Sequence, residues 1–207
     1  MNSKGKLIVI EGLDGCGKAT QTAELTQRLM QSFPSVKHIS FPNYSNPSSA
    51  LVKMYLGGEL GSSPDDVNAY AASSFYAVDR YASFKQFWEK DYNSGCIIIA
   101  DRYTTSNAIY QLSKVANREK PSFLHWLDTY EYKQLQLPKP DAVIYLDMTV
   151  EVSQQLLAKR YNGDENKKDL HEKNFEFLKE CRNSALYAAQ ILNWNVVSCA
   201  KNGKPRS

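Results

Sequence analysis

The fold is decided by the stretch Gly12-Leu13-Asp14-Gly15-Cys16-Gly17-Lys18-Ala19-Thr20, which follows the apolar run Leu7-Ile8-Val9-Ile10. Gly12, Gly17 and Lys18 match the pattern G-x-x-x-x-G-K-[ST] of a phosphate-binding loop. Glycines let successive backbone N–H groups turn inward around phosphate oxygens, and the following helix directs its positive end to the same point. The stretch therefore predicts a nucleoside triphosphate site. The alternative is a glycine-rich turn with an incidental lysine.

Two residues inside this loop leave alternatives open. Asp14 would repel phosphate unless it points away, where it could accept a hydrogen bond from a sugar hydroxyl of a second substrate. It could equally be a turn former that bonds its own backbone. Cys16 is either a small residue that fits the turn, which we favour, or a thiol whose pKa is lowered by the helix N-terminus.

Length and composition indicate one globular domain over residues 1–207 and exclude several classes of protein. The chain has 207 residues, 43% of them hydrophobic and 23% charged. A net charge of +3 without a basic run argues against nucleic-acid binding. No apolar run approaches the roughly 20 residues that span a bilayer, and the polar stretch from Met1 to Lys6 is unlike a signal peptide. The four cysteines lack C-x-x-C spacing, so we expect reduced thiols and a cytoplasmic protein.

Five apolar, β-branched runs predict the strands of a parallel sheet. They are not alternating, which is typical of strands that are buried on both faces, and longer helix-like segments separate them. The pattern favours an α/β, doubly wound three-layer fold with a five-stranded parallel sheet flanked by helices. The predicted strands are Lys6 to Glu11, Val36 to Phe41, Cys96 to Asp101, Ala142 to Asp147 and Asn195 to Cys199.

A long helix and a charged loop complete the predicted organisation. Ser63 as N-cap and Pro64 at the first helical position predict a helix from about Pro64 to Lys90. Tyr76 and Arg80 share one face of it, and a core stripe explains the tyrosine better than the arginine. The charged stretch at about 160–170 interrupts the apolar periodicity and predicts a mobile lid between two helices.

Polar residues at strand ends are candidates for the site, because ligands of open α/β sheets bind at the carboxyl ends of strands. Asp101 could hold Mg²⁺ and Arg102 could clamp a phosphate, or the two could form a surface ion pair. Phosphoryl transfer depends on positioning and charge neutralisation, so several cations are expected. We consider Arg160 the best candidate for a lid arginine, whereas solvation explains the loop lysines equally well. The candidate cations are Lys18, Arg80, Arg102, Lys159, Arg160, Lys167 and Lys168.

Six motifs, in order along nearly the whole chain, resemble those of the thymidylate kinase family, P-loop nucleoside monophosphate kinases that move the γ-phosphate of ATP onto dTMP. A P-loop combined with a DRY strand end and a following serine is more specific than either feature alone. The motifs are EGLDGCGKATQ, SFPNY, FYAVDRY, DRYTTSNAIYQ, PDAVIYLD and KDLHEKNFEFL.

The resemblance implies a role for each matching residue. Gly12 to Thr20 would cradle the ATP phosphates, Lys18 would steady the transferred group, and Asp101 would serve Mg²⁺. Asp14 would bind the 3′-hydroxyl of dTMP, and Arg102 its phosphate. Further contacts to the nucleoside are implied for Phe41, Tyr76 stacking on the base, Arg80 contacting the base, Tyr103, Ser106, Tyr110 and Gln111. A homodimer built from packed helices is implied as well.

The chain also departs from the family pattern. Gly15 occupies the place of the P-loop arginine found in some members, so the chain resembles the lid-arginine type and Arg160 gains weight. Ala19 replaces the hydroxyl that contacts Mg²⁺, which leaves phosphates, water and Asp101, with Thr20 nearby. Tyr44 stands where many members have a phosphate-binding arginine. The sequence ends soon after its fifth predicted strand, and we expect a less closed adenine pocket.

Overall fold

A computed structural model describes residues 4–206, except for the side chain of Glu165. Met1 to Ser3, which begin the polar N-terminal stretch, and Ser207 lie outside the described residues. The elements that build the fold alternate between strands and helices. They are β1 Lys6–Gly12, α1 Lys18–Met30, β2 Val36–Ser40, α2 Ala50–Leu56, α3 Ala69–Ser83, α4 Glu89–Asn93, β3 Ile97–Asp101, α5 Asn107–Tyr110, α6 Lys120–Leu127, β4 Ala142–Asp147, α7 Val150–Arg160, α8 Phe175–Leu192, β5 Asn195–Ser198, β6 Ala200–Lys201 and β7 Lys204–Pro205.

Five strands form one all-parallel sheet in the order β2-β3-β1-β4-β5, and helices flank it. The predicted α/β fold with a five-stranded parallel sheet is therefore confirmed. Because β1 lies between β3 and β4, its carboxyl end is adjacent to theirs. Ile10 pairs with Asp101, and Gly12 pairs with Leu146. This register brings the loop after β1 and the polar end of β3 to the same edge of the sheet.

Burial of the strands differs between the centre and the edge of the sheet. Leu7 and Val9 of β1 and Ile98 and Ile99 of β3 have no exposed surface, as expected for strands covered on both faces. All four residues of β5 are exposed. The expectation that every apolar run is buried on both faces is wrong for the edge strands β2 and β5, neither of which has a buried residue, because an edge strand has a neighbour on one side only.

The start predicted for the long helix is wrong. Ser63 does cap a turn, since its hydroxyl accepts a hydrogen bond from the backbone N–H of Asp65 at 3.4 Å, but that turn is a 3₁₀ helix of three residues, Pro64–Asp66. Val67 is extended, and α3 begins at Ala69 with Asn68 as its N-cap. Two capping residues compete within this segment, and the second one begins the α-helix. A π-helical turn, Phe84–Trp88, then leads into α4.

Among residues 4–206, no helix is long and apolar enough to cross a membrane. All four cysteines are free thiols, and only Cys199 is not buried. A short antiparallel hairpin of β6 and β7 follows β5.

Candidate active site

A cavity of about 720 Å³ opens where the first three strands end. Residues that follow β1, β2 and β3 line it, as the position of ligands in open α/β sheets requires. Most of the site residues predicted from the sequence lie in its wall: Asp14, Gly15, Gly17, Lys18, Ala19, Thr20, Phe41, Tyr76, Arg80, Asp101, Arg102, Tyr103, Ser106, Tyr110, Gln111 and Arg160. Gly12, Leu13 and Cys16 do not line the cavity.

The phosphate-binding loop has the geometry that its glycines imply. Gly17 has φ 89° and directly precedes α1, a conformation that a residue with a side chain rarely adopts. A Cβ atom at this position would meet no atom within 4 Å, so the loop faces open space beside the positive end of the helix. The Lys18 ammonium is nearly buried and donates a hydrogen bond to the carbonyl of Leu13 at 2.9 Å.

Gly15 lies against α7. A Cβ atom at Gly15 would be 2.5 Å from the backbone oxygen of Ser153 and 2.9 Å from Leu157. Because the Ser153 oxygen belongs to a helix backbone, it cannot give way as a flexible side chain could. The packing therefore excludes an arginine at this position of the loop, in agreement with the lid-arginine interpretation.

Cys16 is a structural residue of the loop. Its side chain is 4% exposed and packs with Ile10 and Val152 in an apolar cluster. Burial raises the pKa of the thiol, since a low-dielectric surrounding disfavours the thiolate. Of the two interpretations of Cys16, the small residue that fits the turn is confirmed.

Asp14 and Arg102 form an ion pair at the centre of the cavity. Arg102 donates from Nη2 to Oδ1 of Asp14, while the hydroxyl of Tyr110 donates to Oδ2 at 3.0 Å. Nζ of Lys18 lies 3.8 Å from Oδ1. Burial opposes ionisation of the Asp14 carboxyl, but Arg102 and then Lys18 outweigh it and hold the pKa below its usual range. Asp14 therefore points to Arg102 and Tyr110, and its contact with a second substrate stays a prediction.

Arg102 is held in an unusual backbone conformation. It has φ 66°, a strained region for a residue with a side chain that is typical of functional sites. Its guanidinium carbon lies 5.1 Å from the centre of the Tyr110 ring, within range of a cation–π contact. Burial would lower the pKa of Arg102, but the Asp14 carboxylate raises it well above the ordinary value. The arginine is thus a fixed cation aimed at the cavity.

Asp101, at the end of β3, lines the same cavity and is 9% exposed. Among residues 4–206 we find no hydrogen bond to its carboxylate, nor a group of three metal-ligating side chains. One available carboxylate beside a phosphate loop suits Mg²⁺, which is commonly held by one or two carboxylates and by substrate phosphates. The residues present therefore fit this ion.

The end of the cavity opposite the loop is lined by rings and an amide. Tyr76 of α3 lies edge-on to Tyr55 with centroids 6.5 Å apart, and Phe41 packs on Tyr103 at 5.8 Å. The side chain of Gln111 has no exposed surface; within residues 4–206 its Oε1 and Nε2 form no hydrogen bond of good geometry, and the amide interacts with the Tyr55 hydroxyl. A buried amide without such bonds is costly, and a ligand with one donor and one acceptor would satisfy it.

Arg80 lines the cavity but is already paired. Its Nε and Nη2 donate to the two carboxylate oxygens of Glu131 at 2.8 and 2.6 Å. Burial would lower the pKa of Arg80, and the Glu131 carboxylate raises it. The arginine that a core stripe could not explain is explained by this partner. Only Nη1, which donates to the carbonyl of Tyr103 at 3.4 Å, is not engaged by Glu131.

Six residues at the end of α7 and in the segment that follows it line the cavity: Arg160, Tyr161, Lys167, Asp169, His171 and Glu172. Arg160 is the last residue of α7 and is exposed, and no salt bridge joins it to the described side chains. Further along, the carboxylate of Asp169 accepts backbone hydrogen bonds from His171 and Glu172, both at 2.9 Å. Glu172 accepts from the hydroxyl of Tyr161 at 3.1 Å. These bonds fold the segment back over the site.

Comparisons with known proteins agree with this geometry. The family model described as thymidylate kinase matches residues 10–204. The chain belongs to the thymidylate kinase family. It is therefore a nucleoside monophosphate kinase, a transferase.

Individual relatives support the same assignment. A thymidylate kinase of Mycobacterium tuberculosis is 30% identical over 186 residues, 88% of this chain and 84% of the relative. One of Caenorhabditis elegans is 30% identical over 161 residues, 73% of this chain and 67% of the relative. The solved thymidylate kinase of Candida albicans, whose report describes the origin of broad substrate specificity and a novel structural element, superposes with a TM-score of 0.66 and 25% identity, covering 94% of this chain and 84% of that one.

Several residues of this thymidylate kinase site escaped the sequence analysis. Glu11 is fully buried and accepts hydrogen bonds from the backbone of Tyr103 at 3.2 Å and from the hydroxyls of Thr105 and Ser106 at 2.7 and 2.8 Å. It therefore positions the segment that follows β3. The only signal was its place at the end of β1. Ser106, predicted to contact the nucleoside, is committed to Glu11.

Further residues that the sequence did not point to lie at the end of the lid and just after it, and in the π-helical turn that follows α6. Asp169, His171 and Glu172 stood within a family motif but were given no role, and Glu131 lies in a π-helical turn, Asp128–Gln134. No spacing rule connects Glu131 with Arg80 or His171 with Tyr55, because these partners lie 51 and 116 positions apart in the sequence.

The pairing of Arg80 predicts a large loss of stability when Glu131 is removed. Glu131→Ala leaves a buried guanidinium without its counter-charge, so we expect the free energy of unfolding to fall by about 3–5 kcal/mol. Glu176→Ala is the matched control, because Glu176 pairs with Lys179 on the surface and the change should cost less than about 1 kcal/mol. Urea denaturation measures both, and equal losses would contradict the buried ion pair.

The raised pKa of the Asp169 carboxyl predicts that the stability of the folded protein depends on pH. Burial and the nearby Asp14 carboxylate raise the pKa of its carboxyl to about 7, well above that of an unfolded chain. The folded protein then binds a proton that the unfolded chain has released, so stability falls as pH rises toward 7. Asp169→Asn keeps an oxygen acceptor without charge. We expect it to unfold at higher urea than the parent at pH 8, with the difference shrinking at pH 5.

Asp128→Asn is the control of opposite sign. A hydrogen bond from Lys139 lowers the pKa of the Asp128 carboxyl. The Asp128→Asn variant should therefore be less stable than the parent protein at pH 8. The same direction for both variants would show that Asp169 does not carry the raised pKa.

Proposed function

We propose that this chain catalyses the ATP-dependent phosphorylation of dTMP to dTDP in a single cavity. The observation that carries this proposal is the contact of Arg102 with Asp14, next to Lys18 of the phosphate loop, in a cavity wall that also contains Gln111. A donor phosphate and an acceptor nucleotide can therefore meet at one guanidinium. Membership of the thymidylate kinase family supports the reaction and its direction of transfer.

The donor triphosphate belongs at the loop. Gly17 leaves open space at the positive end of α1, and Lys18 stands at the same point. When phosphate enters, the Lys18 ammonium exchanges the Leu13 carbonyl for phosphate oxygens, which are stronger, charge-assisted acceptors. Mg²⁺, which neutralises charge on the transferred phosphoryl group, would be held by the phosphates and Asp101, because Ala19 offers no hydroxyl.

The acceptor nucleotide belongs between Arg102 and Gln111. Its phosphate would replace Asp14 as the partner of Arg102, which releases the Asp14 carboxylate to accept a sugar hydroxyl. Tyr76 offers a ring for the base. The buried amide of Gln111 would have to turn toward the cavity, where it would accept from N3–H of thymine and donate to O4. Arg80, which is paired with Glu131, supports this wall; Glu131 and the Tyr103 carbonyl take three of its five N–H donors, which leaves two.

The lid supplies the remaining charge. Arg160 ends α7 in the cavity wall without a salt bridge to any described side chain, and Lys167 lines the same wall. Two cations that close over the transferred phosphoryl group would stabilise its negative charge, since such catalysis is largely electrostatic. We infer that the segment at 160–170 moves as this lid within one kinase domain.

The exposed residues of α3 and the cysteines bear on the oligomeric state and the cellular location. Tyr70, Val78 and Tyr81 are each more than 40% exposed on one face of α3, which favours a homodimer through packed helices, and analytical ultracentrifugation would test it. Four free thiols suit the cytoplasm, which cell fractionation would test. We propose no nucleic-acid or membrane partner.

Lys18→Ala tests the donor site. Loss of the cation should lower kcat by about 100-fold or more, as for the removal of one preorganised donor, while calorimetry should show dTMP binding largely unchanged. Lys53→Ala, an exposed change on α2, is the control and should keep full activity. A coupled ADP assay with dTMP, dUMP, dGMP, dCMP and thymidine measures rate and specificity together. If no pyrimidine monophosphate supports ATP turnover, the proposed function is refuted.

Arg160→Ala tests the lid. Because the guanidinium is proposed to act on the transferred group, kcat should fall by about 10- to 1000-fold with little change in KM for dTMP. Lys159→Ala, at the neighbouring exposed position outside the cavity wall, is the matched control. Equal effects of the two changes would mean that general charge, rather than Arg160, supports transfer.

A further inference from the structure

His171 is a histidine enclosed by rings at the edge of the cavity. Its ring stacks on Tyr110 with centroids 5.5 Å apart and an interplanar angle of 11°. Tyr55 lies edge-on at 5.3 Å and Phe177 tilted at 4.9 Å. The side chain is 4% exposed and lines the cavity. Three aromatic neighbours thus fix the plane of the imidazole.

A chain of hydrogen bonds runs from Lys114 through Tyr55 to Nε2 of this histidine. The Lys114 ammonium donates to the hydroxyl oxygen of Tyr55 at 2.7 Å, and that hydroxyl lies 2.9 Å from Nε2 of His171. Lys114 is held by a second bond to the carbonyl of Val67 at 3.0 Å. The segment itself is tied to α2 by a backbone bond from Leu170 to Leu56 at 3.3 Å. The chain therefore joins α2, the lid segment and the turn after α5.

The charges of the chain decide where its protons lie. Burial lowers the pKa of Lys114 to about 8, against the raising effect of Asp65 and Cys181, so its ammonium is charged at neutral pH. Burial, with Lys114 next, lowers the pKa of His171 to about 3, so the imidazole is neutral. A neutral imidazole carries one N–H, on either Nδ1 or Nε2.

Lys114 selects between these two tautomers. Its ammonium already occupies a lone pair of the Tyr55 oxygen, and a second donor, Nε2–H, would face the same oxygen. The Tyr55 hydroxyl bonds two acceptors, Nε2 at 2.9 Å and the carbonyl of Pro64 at 3.3 Å, and it also interacts with the Gln111 amide. Donation to the nearer Nε2 satisfies both groups and leaves the proton of His171 on Nδ1.

The second nitrogen faces the ligand side. No residue within 4–206 forms a hydrogen bond to Nδ1, and it is not among the sealed, unpaired atoms of the interior. Since Nε2 is turned to Tyr55, Nδ1 is the ring nitrogen that remains for the cavity. Tyr110, stacked on the ring, bonds Asp14, the proposed sugar contact.

We propose that Lys114 and Tyr55 hold His171 in its Nδ1–H tautomer, so that this N–H donates to a sugar or phosphate oxygen of the acceptor nucleotide. His171 is then a specificity-determining contact, and Lys114 and Tyr55 are positioning residues that act through it. The proposal rests on the function proposed above, because it assumes that a nucleoside monophosphate occupies this part of the cavity.

The tautomer is tested without any turnover. In ¹⁵N-labelled protein, correlations between ring nitrogens and carbon-bound ring protons distinguish Nδ1–H from Nε2–H. We expect Nδ1–H in the parent protein and a measurable gain of Nε2–H in Lys114→Met, with Lys53→Met unchanged as the control on α2. An Nε2–H imidazole in the parent, or the same tautomer in Lys114→Met, would overturn the proposal.

The contact is tested by three substitutions of His171. His171→Phe keeps a ring against Tyr110 and should raise KM for dTMP about tenfold, the effect of one lost hydrogen bond, with KM for ATP unchanged. His171→Asn places an amide near Nδ1 and should recover part of this loss, whereas His171→Gln, with its amide near Nε2, should not. Equal KM values in all three variants would refute the contact.

Two further comparisons separate the possible outcomes. Calorimetry of His171→Phe with thymidine and dTMP distinguishes the acceptor: a sugar oxygen weakens both ligands, and a phosphate oxygen weakens dTMP alone. If the parent protein phosphorylates no nucleoside monophosphate, the proposed function fails while the tautomer result stands. If the parent is active and the variants match it, the inference alone fails.

Discussion

The ion pair between Asp14 and Arg102 is the interaction on which the rest of the site depends. The two charges come from adjacent strands and meet only because β1 and β3 are parallel and in register, with Ile10 opposite Asp101. Each charge compensates the other in the mostly buried wall of the cavity, where an unpaired charge would be costly. An incoming phosphate and a sugar hydroxyl can take over the two halves of this pair, so the ligand replaces an existing balance of charge and does not have to create one.

The sequence predicted those parts of the fold and site that arise from local patterns. The central strands β1, β3 and β4 are apolar throughout because they are covered on both faces, and the polar residues that end them necessarily meet at one edge. The loop at Gly17 and Lys18 and the pair Asp101 and Arg102 followed directly. Local rules failed where two signals competed. Asn68 begins α3 although Ser63 has a better sequence signature, and β5 is exposed although its composition resembles that of a buried strand.

The rest of the site could not be predicted, because it consists of contacts between residues far apart in sequence. Arg80 and Glu131 are 51 positions apart, and His171 and Tyr55 are 116 positions apart. No periodicity relates such residues. Arg80 illustrates the consequence: its residue type and helix face suggested a ligand contact, but a buried cation needs a counter-charge, and Glu131 supplies it from a π-helical turn. The same geometry holds Arg80 in the cavity wall, which it shares with the buried amide of Gln111.

Ala19 acquires a physical meaning from this arrangement. It lies exposed at the start of α1, beside Lys18 and in the cavity wall, so a missing hydroxyl there removes a metal ligand from the loop after β1. In the proposed reaction the protein contact to Mg²⁺ then comes from Asp101, at the end of the neighbouring strand β3. Asp101, which would hold Mg²⁺ in that reaction, is placed beside the phosphate-binding loop by the pairing of β1 with β3, the same register that brings Asp14 to Arg102. A change that shifted this register would move Asp101, Arg102 and Asp14 relative to one another, so in the proposed reaction it would disturb the sites of both nucleotides together.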